Sequence, residues 1–240
     1  MPQPAEPQPK APALRRPGVL RFSAVELLAA LVLLFVTSPF VESFKNGDIF
    51  EGMLMTVVLL LAVLAVGGNR RTLIVAVLLV LPAVVGKWCN HLWGLVPAEF
   101  YLTAQMVFMI FVVGRLLRFI MRAARVNSEV LCAGISGYLM LGLIWIVAYM
   151  LVSRLVPNAF TFSSGPAGQQ SMDGFTAFYF SFATLTTVGY GDISPAANVA
   201  RMLAVTEAVT GMFYVAVLIS RLVALYSSNP PPEAPNHDST

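Results

Sequence analysis

Charge is what this sequence lacks. Of 240 residues, 11% are charged and 58% hydrophobic, whereas a soluble domain carries about a quarter of its residues as charges. That deficit excludes an ordinary soluble enzyme. Cysteine is equally scarce: Cys89 and Cys132 are too few for a disulfide framework and lack metal-ligand spacing, so both are expected to be small apolar fillers. The two histidines, His91 and His237, fall in an expected external loop and in the tail, and no set of ionisable groups converges as acid–base catalysis requires. No internal repeat is visible, and nothing suggests a nucleic-acid partner. The proline-rich start, with Pro2, Pro4, Pro7, Pro9, Pro12 and Pro17, has no small-residue cleavage site and predicts a disordered arm over 1–21, not a signal peptide. A similar tail over 227–240 carries Pro230, Pro231, Pro232 and Pro235.

What the chain does have is long apolar runs with few charges. They cover residues 22–40, 50–66, 72–85, 100–117, 130–152 and 199–225, and about 20 apolar residues in a helix cross a hydrocarbon layer roughly 30 Å thick. Six transmembrane helices are predicted. Between the last two, the aromatic run 175–185 is too short to span and precedes a glycine-rich stretch, the pattern of a re-entrant helix and loop. The fold class is therefore all-α integral membrane. Its parts are a cytoplasmic arm (1–21), a four-helix peripheral membrane domain (22–126), a two-helix domain around the re-entrant loop (127–226) and a cytoplasmic tail (227–240).

Basic residues set the orientation. With the N-terminus in the cytoplasm, eleven of the 15 lysines and arginines fall inside and only Lys45, Lys87, Arg154 and Arg201 outside, so both termini are expected in the cytoplasm. Glu42, Asp48, Glu51, Glu99, Asp173 and Asp192 then make an acidic external side that attracts cations. Two acids lie in or near spans. Ser23 and Glu26 have the spacing of a capping box, which makes Glu26 a helix cap. Glu207 is deeper, and an ionisable group there must be paired, hydrogen-bonded or neutral. Two roles stay open for it: a structural bond to hydroxyls of the re-entrant helix, or a place in an ion path.

The chemistry resides in Thr184-Leu185-Thr186-Thr187-Val188-Gly189-Tyr190-Gly191-Asp192, which contains the TVGYG sequence whose carbonyls replace the hydration shell of potassium. Successive carbonyls must point one way, which requires backbone angles open mainly to glycine, and Gly189 and Gly191 alternate accordingly. The carbonyls of Thr187, Val188, Gly189 and Tyr190 would coordinate K+, with the Thr187 hydroxyl below them. One loop offers one oxygen per level whereas such a filter uses four, so a homotetramer is implied. Asp173 is a plausible N-cap for a pore helix whose negative end faces the chamber beneath the filter. No cofactor is expected; K+ is the permeant ion.

Residues from about 129 to 226 resemble the pore domain of the potassium channel family: outer helix, pore helix, TTVGYGD filter and inner helix. The run from Glu207 to Val223 is similar to the inner helix of small bacterial members, where the family often places a gating hinge at the position of Gly211. That role is favoured here over simple close packing of helices. The resemblance implies passive, potassium-selective conduction in a plasma membrane of the bacterial inner-membrane type. Where many members have two pore-helix tryptophans, this chain has Tyr179 and Phe180. Tyr179 can replace the first by directing its hydroxyl to Asp192, whereas Phe180 has no donor with which to hold Tyr190. Tyr179, Thr186 and Asp192 are thus the expected filter supports.

Arg115, Arg118, Arg122 and Arg125 would fall within about an 80° arc if all four lay on one α-helix. However, no charge occurs from Phe100 to Gly114, a rise of roughly 22 Å. The arginines therefore start near the cytoplasmic boundary, and residues 53–66 and 72–85 of the second and third spans offer no acidic partners. The expectation is a channel without strong voltage gating, its arginines anchoring a cytoplasmic linker helix at anionic lipid. The alternatives are a less selective monovalent cation channel and a voltage-gated potassium channel with a divergent sensor.

Overall fold

A computed structural model describes residues 24–41, 47–66, 70–163, 171–172 and 174–227. The expected arm and tail, Ser23 of the capping box, and Asp173 as N-cap lie outside the described residues. Within them the chain forms helices α1 (Ala24–Val41), α2 (Gly47–Val66), α3 (Arg70–Trp93), α4 (Ala98–Arg122) and α5 (Ser128–Leu155), strand β1 (Phe160–Phe162), helix α6 (Gly174–Leu185), strand β2 (Ile193–Pro195) and helix α7 (Asn198–Ser227). The architecture is that of an α-helical, multi-pass membrane protein. Helices α2, α3, α4, α5 and α7 are long and apolar enough to cross a bilayer, and the apolar stretch of α1, Ala24–Phe40, is shorter.

Three details depart from the sequence reading. Helix α3 does not stop near residue 85 but runs through Pro82 to Trp93, a proline that membrane helices tolerate when neighbours re-satisfy the freed backbone groups. His91 therefore lies in the last turn of α3, against the Trp88 ring, and not in a loop. Helix α4 ends at Arg122, its C-cap Ala123 being extended. Arg125 thus lies beyond α4, and in place of a linker helix there is a short connection closed by Asn127, whose side chain caps α5 by accepting from Val130 N at 2.9 Å. Finally, β1 and β2 form a small antiparallel ribbon, Phe160 opposite Pro195 and Phe162 opposite Ile193.

In lipid, helices associate through close packing more than through the hydrophobic effect, and α5 is built for that. Its glycines receive the side chains of its neighbours: a Cβ at Gly134 would meet Leu218, one at Gly137 would meet Tyr214, and one at Gly142 would meet Phe182. The Tyr214 hydroxyl donates to the Gly134 carbonyl at 2.8 Å, a backbone acceptor that the missing side chain leaves reachable. On its other sides α5 contacts α1 and α4, and α3 packs along α4. Phe108, Met109 and Val112 of α4 and Met140 and Leu143 of α5 are all fully buried in the shared core. Helix α7 differs: 17% of its most apolar stretch is buried, against 67% in α5, so most of its surface has no cover among the described residues.

Candidate functional site

The re-entrant helix α6 is held by aromatic edges. Phe35 of α1 meets Phe178 and Phe182 at ring-centroid distances of 4.6 and 4.4 Å. On another side Phe180 meets Tyr149 at 4.8 Å and Phe160 at 5.5 Å. Edge-to-face contacts of this kind fix ring orientation as well as burying area.

At its C-terminus α6 turns into the segment 186–191. The last carbonyls of a helix have no partner within it, and here the following backbone supplies donors. Thr186 N donates to Phe182 O, Thr187 N to Thr184 O, and both Val188 N and Gly189 N to Ala183 O. The N–H groups of 187–189 are thereby turned toward the helix. Three positions have positive φ: Thr187 at 62°, Gly189 at 53° and Gly191 at 83°, with Val188 and Tyr190 between them in the ordinary half of φ space. Alternating handedness turns successive peptide planes so that N–H groups gather on one side and carbonyls on the other. Glycine adopts such angles freely. Thr187 does so at a cost of about 1–2 kcal/mol, which the hydrogen bonds on either side of it must offset.

The far end of the segment is fastened too. Ser163 donates to the Asp192 carbonyl from both its N–H (2.8 Å) and its hydroxyl (2.9 Å), and Arg201 Nε donates to the Pro195 carbonyl at 3.2 Å. The Tyr179 hydroxyl lies near enough to the Asp192 carboxylate to interact with it, and its ring stacks on Tyr190 with centroids 6.0 Å apart and planes within 9°. Tyr190 thus rests on its own chain's Tyr179, while Phe180 faces inward. The Thr186 hydroxyl donates back to Phe182 O at 2.6 Å. All of 186–191 is exposed on the single chain, Tyr190 at 72%.

Behind this segment Glu207 of α7 is fully buried. Its Oε1 lies 2.6 Å from Ser181 Oγ, its Oε2 accepts from the Tyr149 hydroxyl, and Ser181 Oγ also lies 3.0 Å from the Gly142 carbonyl. The carboxyl therefore joins α5, α6 and α7 at one point. Four residues further along α7, Gly211 runs against the end of α6: an added Cβ would lie 2.6 Å from the Leu185 carbonyl and 2.8 Å from Leu185 Cδ1. Helix α7 is continuous through it. At its lower end Arg221 donates from Nη2 to the carbonyls of Met121 and Ala123, both at 2.9 Å, the cation sitting where a helix C-terminus favours one.

The structure thus brings together Thr186 to Asp192, Tyr179, Glu207 and Gly211 around the C-terminal half of α6. Arg115, Arg118, Arg122 and Arg125 lie apart from them, at the end of α4 and just beyond it. Sequence reasoning missed Tyr149 and Arg221, and anticipated Ser181 only as an unnamed hydroxyl of the re-entrant helix. Tyr149 and Arg221 carried a signal, each being a polar group in an apolar span that needs a partner there.

Residues 138–228 match the model of a family described as Ion channel. Among curated relatives, two pore potassium channel c of Oryza sativa subsp. japonica is 33% identical over 85 residues, 34% of this chain and 18% of the relative. Two pore potassium channel b of the same plant is 34% identical over 89 residues, 37% of this chain and 24% of the relative. Two-pore potassium channel 4 of Arabidopsis thaliana is 42% identical over 48 residues, 20% of this chain and 17% of the relative. The chain spans less than a quarter of the length of each. No solved structure matches it.

Proposed function

From a segment, 138–228, that belongs to the ion channel family and whose relatives are potassium channels, we propose that this protein is a potassium-selective channel conducting passively through a homotetrameric pore. The family is one of channels, not enzymes. The observation that carries the proposal is the backbone of 187–191, whose φ alternates in sign while its first amides are spent on the end of α6. Such a strand has neutral carbonyls to offer a monovalent cation, and rings of carbonyls bind potassium without holding it too tightly to leave. Thr187, Val188, Gly189 and Tyr190 coordinate K+, four chains completing each ring. The exposure of 186–191 and the scant cover of α7 support a pore closed by other copies of the chain.

In this reading α1 counts as a membrane span beside the five longer helices, both termini are cytoplasmic, and the protein sits in a plasma membrane of bacterial inner-membrane type. Bending of α7 near Gly211 opens the pore. Strong voltage gating is not proposed, because α4 carries its arginines only in its last turns. Arg115, Arg118, Arg122 and Arg125 instead meet anionic lipid.

The test is flux in liposomes holding unequal potassium and sodium. A reversal potential that tracks the potassium gradient is expected, and one that follows sodium as closely would replace this reading by a less selective cation channel. That second reading has one observation in its favour: Phe180 packs against Tyr149 and Phe160, so the filter's Tyr190 gains nothing from that position.

A further inference from the structure

Between the first turn of α3 and the last turns of α4 lies a cavity of about 420 Å³ lined by Arg71, Thr72, Val75, Ile110, Phe111, Gly114, Arg115 and Arg118. Three of these residues are arginines and none is acidic. Like charges gathered at one end of a groove repel one another and favour an anion between them. Arg115 adds a sharper signal, because its Nε is buried with no hydrogen-bond partner among the described residues, and an unmade bond to a charged donor is costly. Arg71 and Thr72 stand where a helix leaves its N–H groups unpaired and its dipole positive. Gly114 presents no side chain at the bend of the wall, and a Cβ there would meet nothing within 4 Å.

The remaining lining is apolar and continues along the helices: Val75 and Ile110 are exposed, and Leu78 on α3 and Val107 on α4 extend that surface toward mid-membrane. A free phosphate needs only the arginines. An amphiphile whose phosphate meets the arginines and whose acyl chain lies along the α3–α4 seam uses both halves of the groove. We propose that this groove is a binding site for one anionic phospholipid of the inner leaflet, with Arg71, Arg115 and Arg118 as phosphate ligands. The assignment to that leaflet rests on the cytoplasmic orientation proposed above. Unlike a general attraction of Arg115 to Arg125 for the membrane surface, the groove recruits Arg71 from a different helix and leaves out Arg122 and Arg125.

Native mass spectrometry of the full-length protein, incubated with phosphatidylglycerol or phosphatidylcholine of equal chain length, tests this directly. Wild type is expected to retain phosphatidylglycerol in preference, and Arg71→Gln and Arg115→Gln each to lower its retention about fivefold, the worth of one arginine at an anionic surface. The Arg122→Gln/Arg125→Gln double variant, whose arginines meet lipid outside the groove, should lower retention less than Arg71→Gln does. Ile110→Trp, at a membrane-exposed position, keeps every charge and should still lose the lipid by filling the seam; it serves where removal of an arginine prevents folding. Equal retention of the two lipids overturns the proposal, as does a loss in the Arg122/Arg125 variant equal to that in Arg71→Gln. Competition by soluble glycerol phosphate as effective as by the lipid would make the groove a phosphate site and would also overturn it. Potassium flux is read separately, so absent flux with selective retention counts against the channel and not against the groove.

Discussion

Glu207 shows how one residue couples three helices. Ser181 has a single proton and two acceptors in reach, the Gly142 carbonyl and Glu207 Oε1, while Tyr149 donates to the other carboxyl oxygen. A side chain that can donate to Ser181 and accept from Tyr149 satisfies the whole cluster, and glutamine does both. Glu207→Gln should therefore leave the melting temperature of the detergent-solubilised protein close to wild type. Glu207→Leu strands the buried Tyr149 hydroxyl, at about 1–3 kcal/mol, leaves Ser181 only the Gly142 carbonyl, and should lower it clearly. Equal melting of both variants would mean that the cluster holds nothing together. The sequence marks Glu207 as in need of partners but does not name them, because Tyr149 is 58 residues away and Ser181 26. The filter residues are the opposite case. Their demand is local, so Gly189 and Gly191 announce it, while Thr187, which adopts the same half of φ space, carries no mark of it.

At the scale of elements, α7 depends on where it passes the end of α6. Gly211 is the point of contact, and the nearest atom to an added methyl group is a backbone carbonyl that cannot rotate away. Gly211→Ala is expected to push α7 off the end of α6 and reduce potassium flux several-fold, a repositioning cost typical of overpacking, about 1–3 kcal/mol. Flux unchanged from wild type in the liposome assay would show that this crossing is not tight during conduction. Helix existence was legible from apolar runs. Helix ends were less so, because the signals that stop helices in water act differently in lipid. The apolar run ends at residue 85, yet α3 continues through Gly86 and Lys87 to Trp93. The evenly spaced arginines read as one helix, yet Ala123 ends it before Arg125.

For the whole molecule, the exposed filter backbone and the bare α7 lead to one expectation: chemical cross-linking or native mass measurement in mild detergent should give a tetramer. Its loss on Val209→Arg, a change at an exposed position of α7, would locate the contact between copies. A stable monomer that conducts would sink the tetrameric reading. The expectation of four chains comes from the count of one TVGYG loop per chain. How the peripheral helices join the pore was not legible, since that junction is made by tertiary contacts among α1, α4 and α5.

The bond from Arg221 to the end of α4 bears on how separable the two halves of this chain are. A graft that joined residues 128–227 to some other membrane scaffold would carry the arginine without the two carbonyls that receive it, leaving a cation to find water or lipid beside the end of α7. The cut between the halves is therefore cleaner in the order of residues than in space, and an engineer who exchanges modules here must bring Met121 and Ala123 along with the pore.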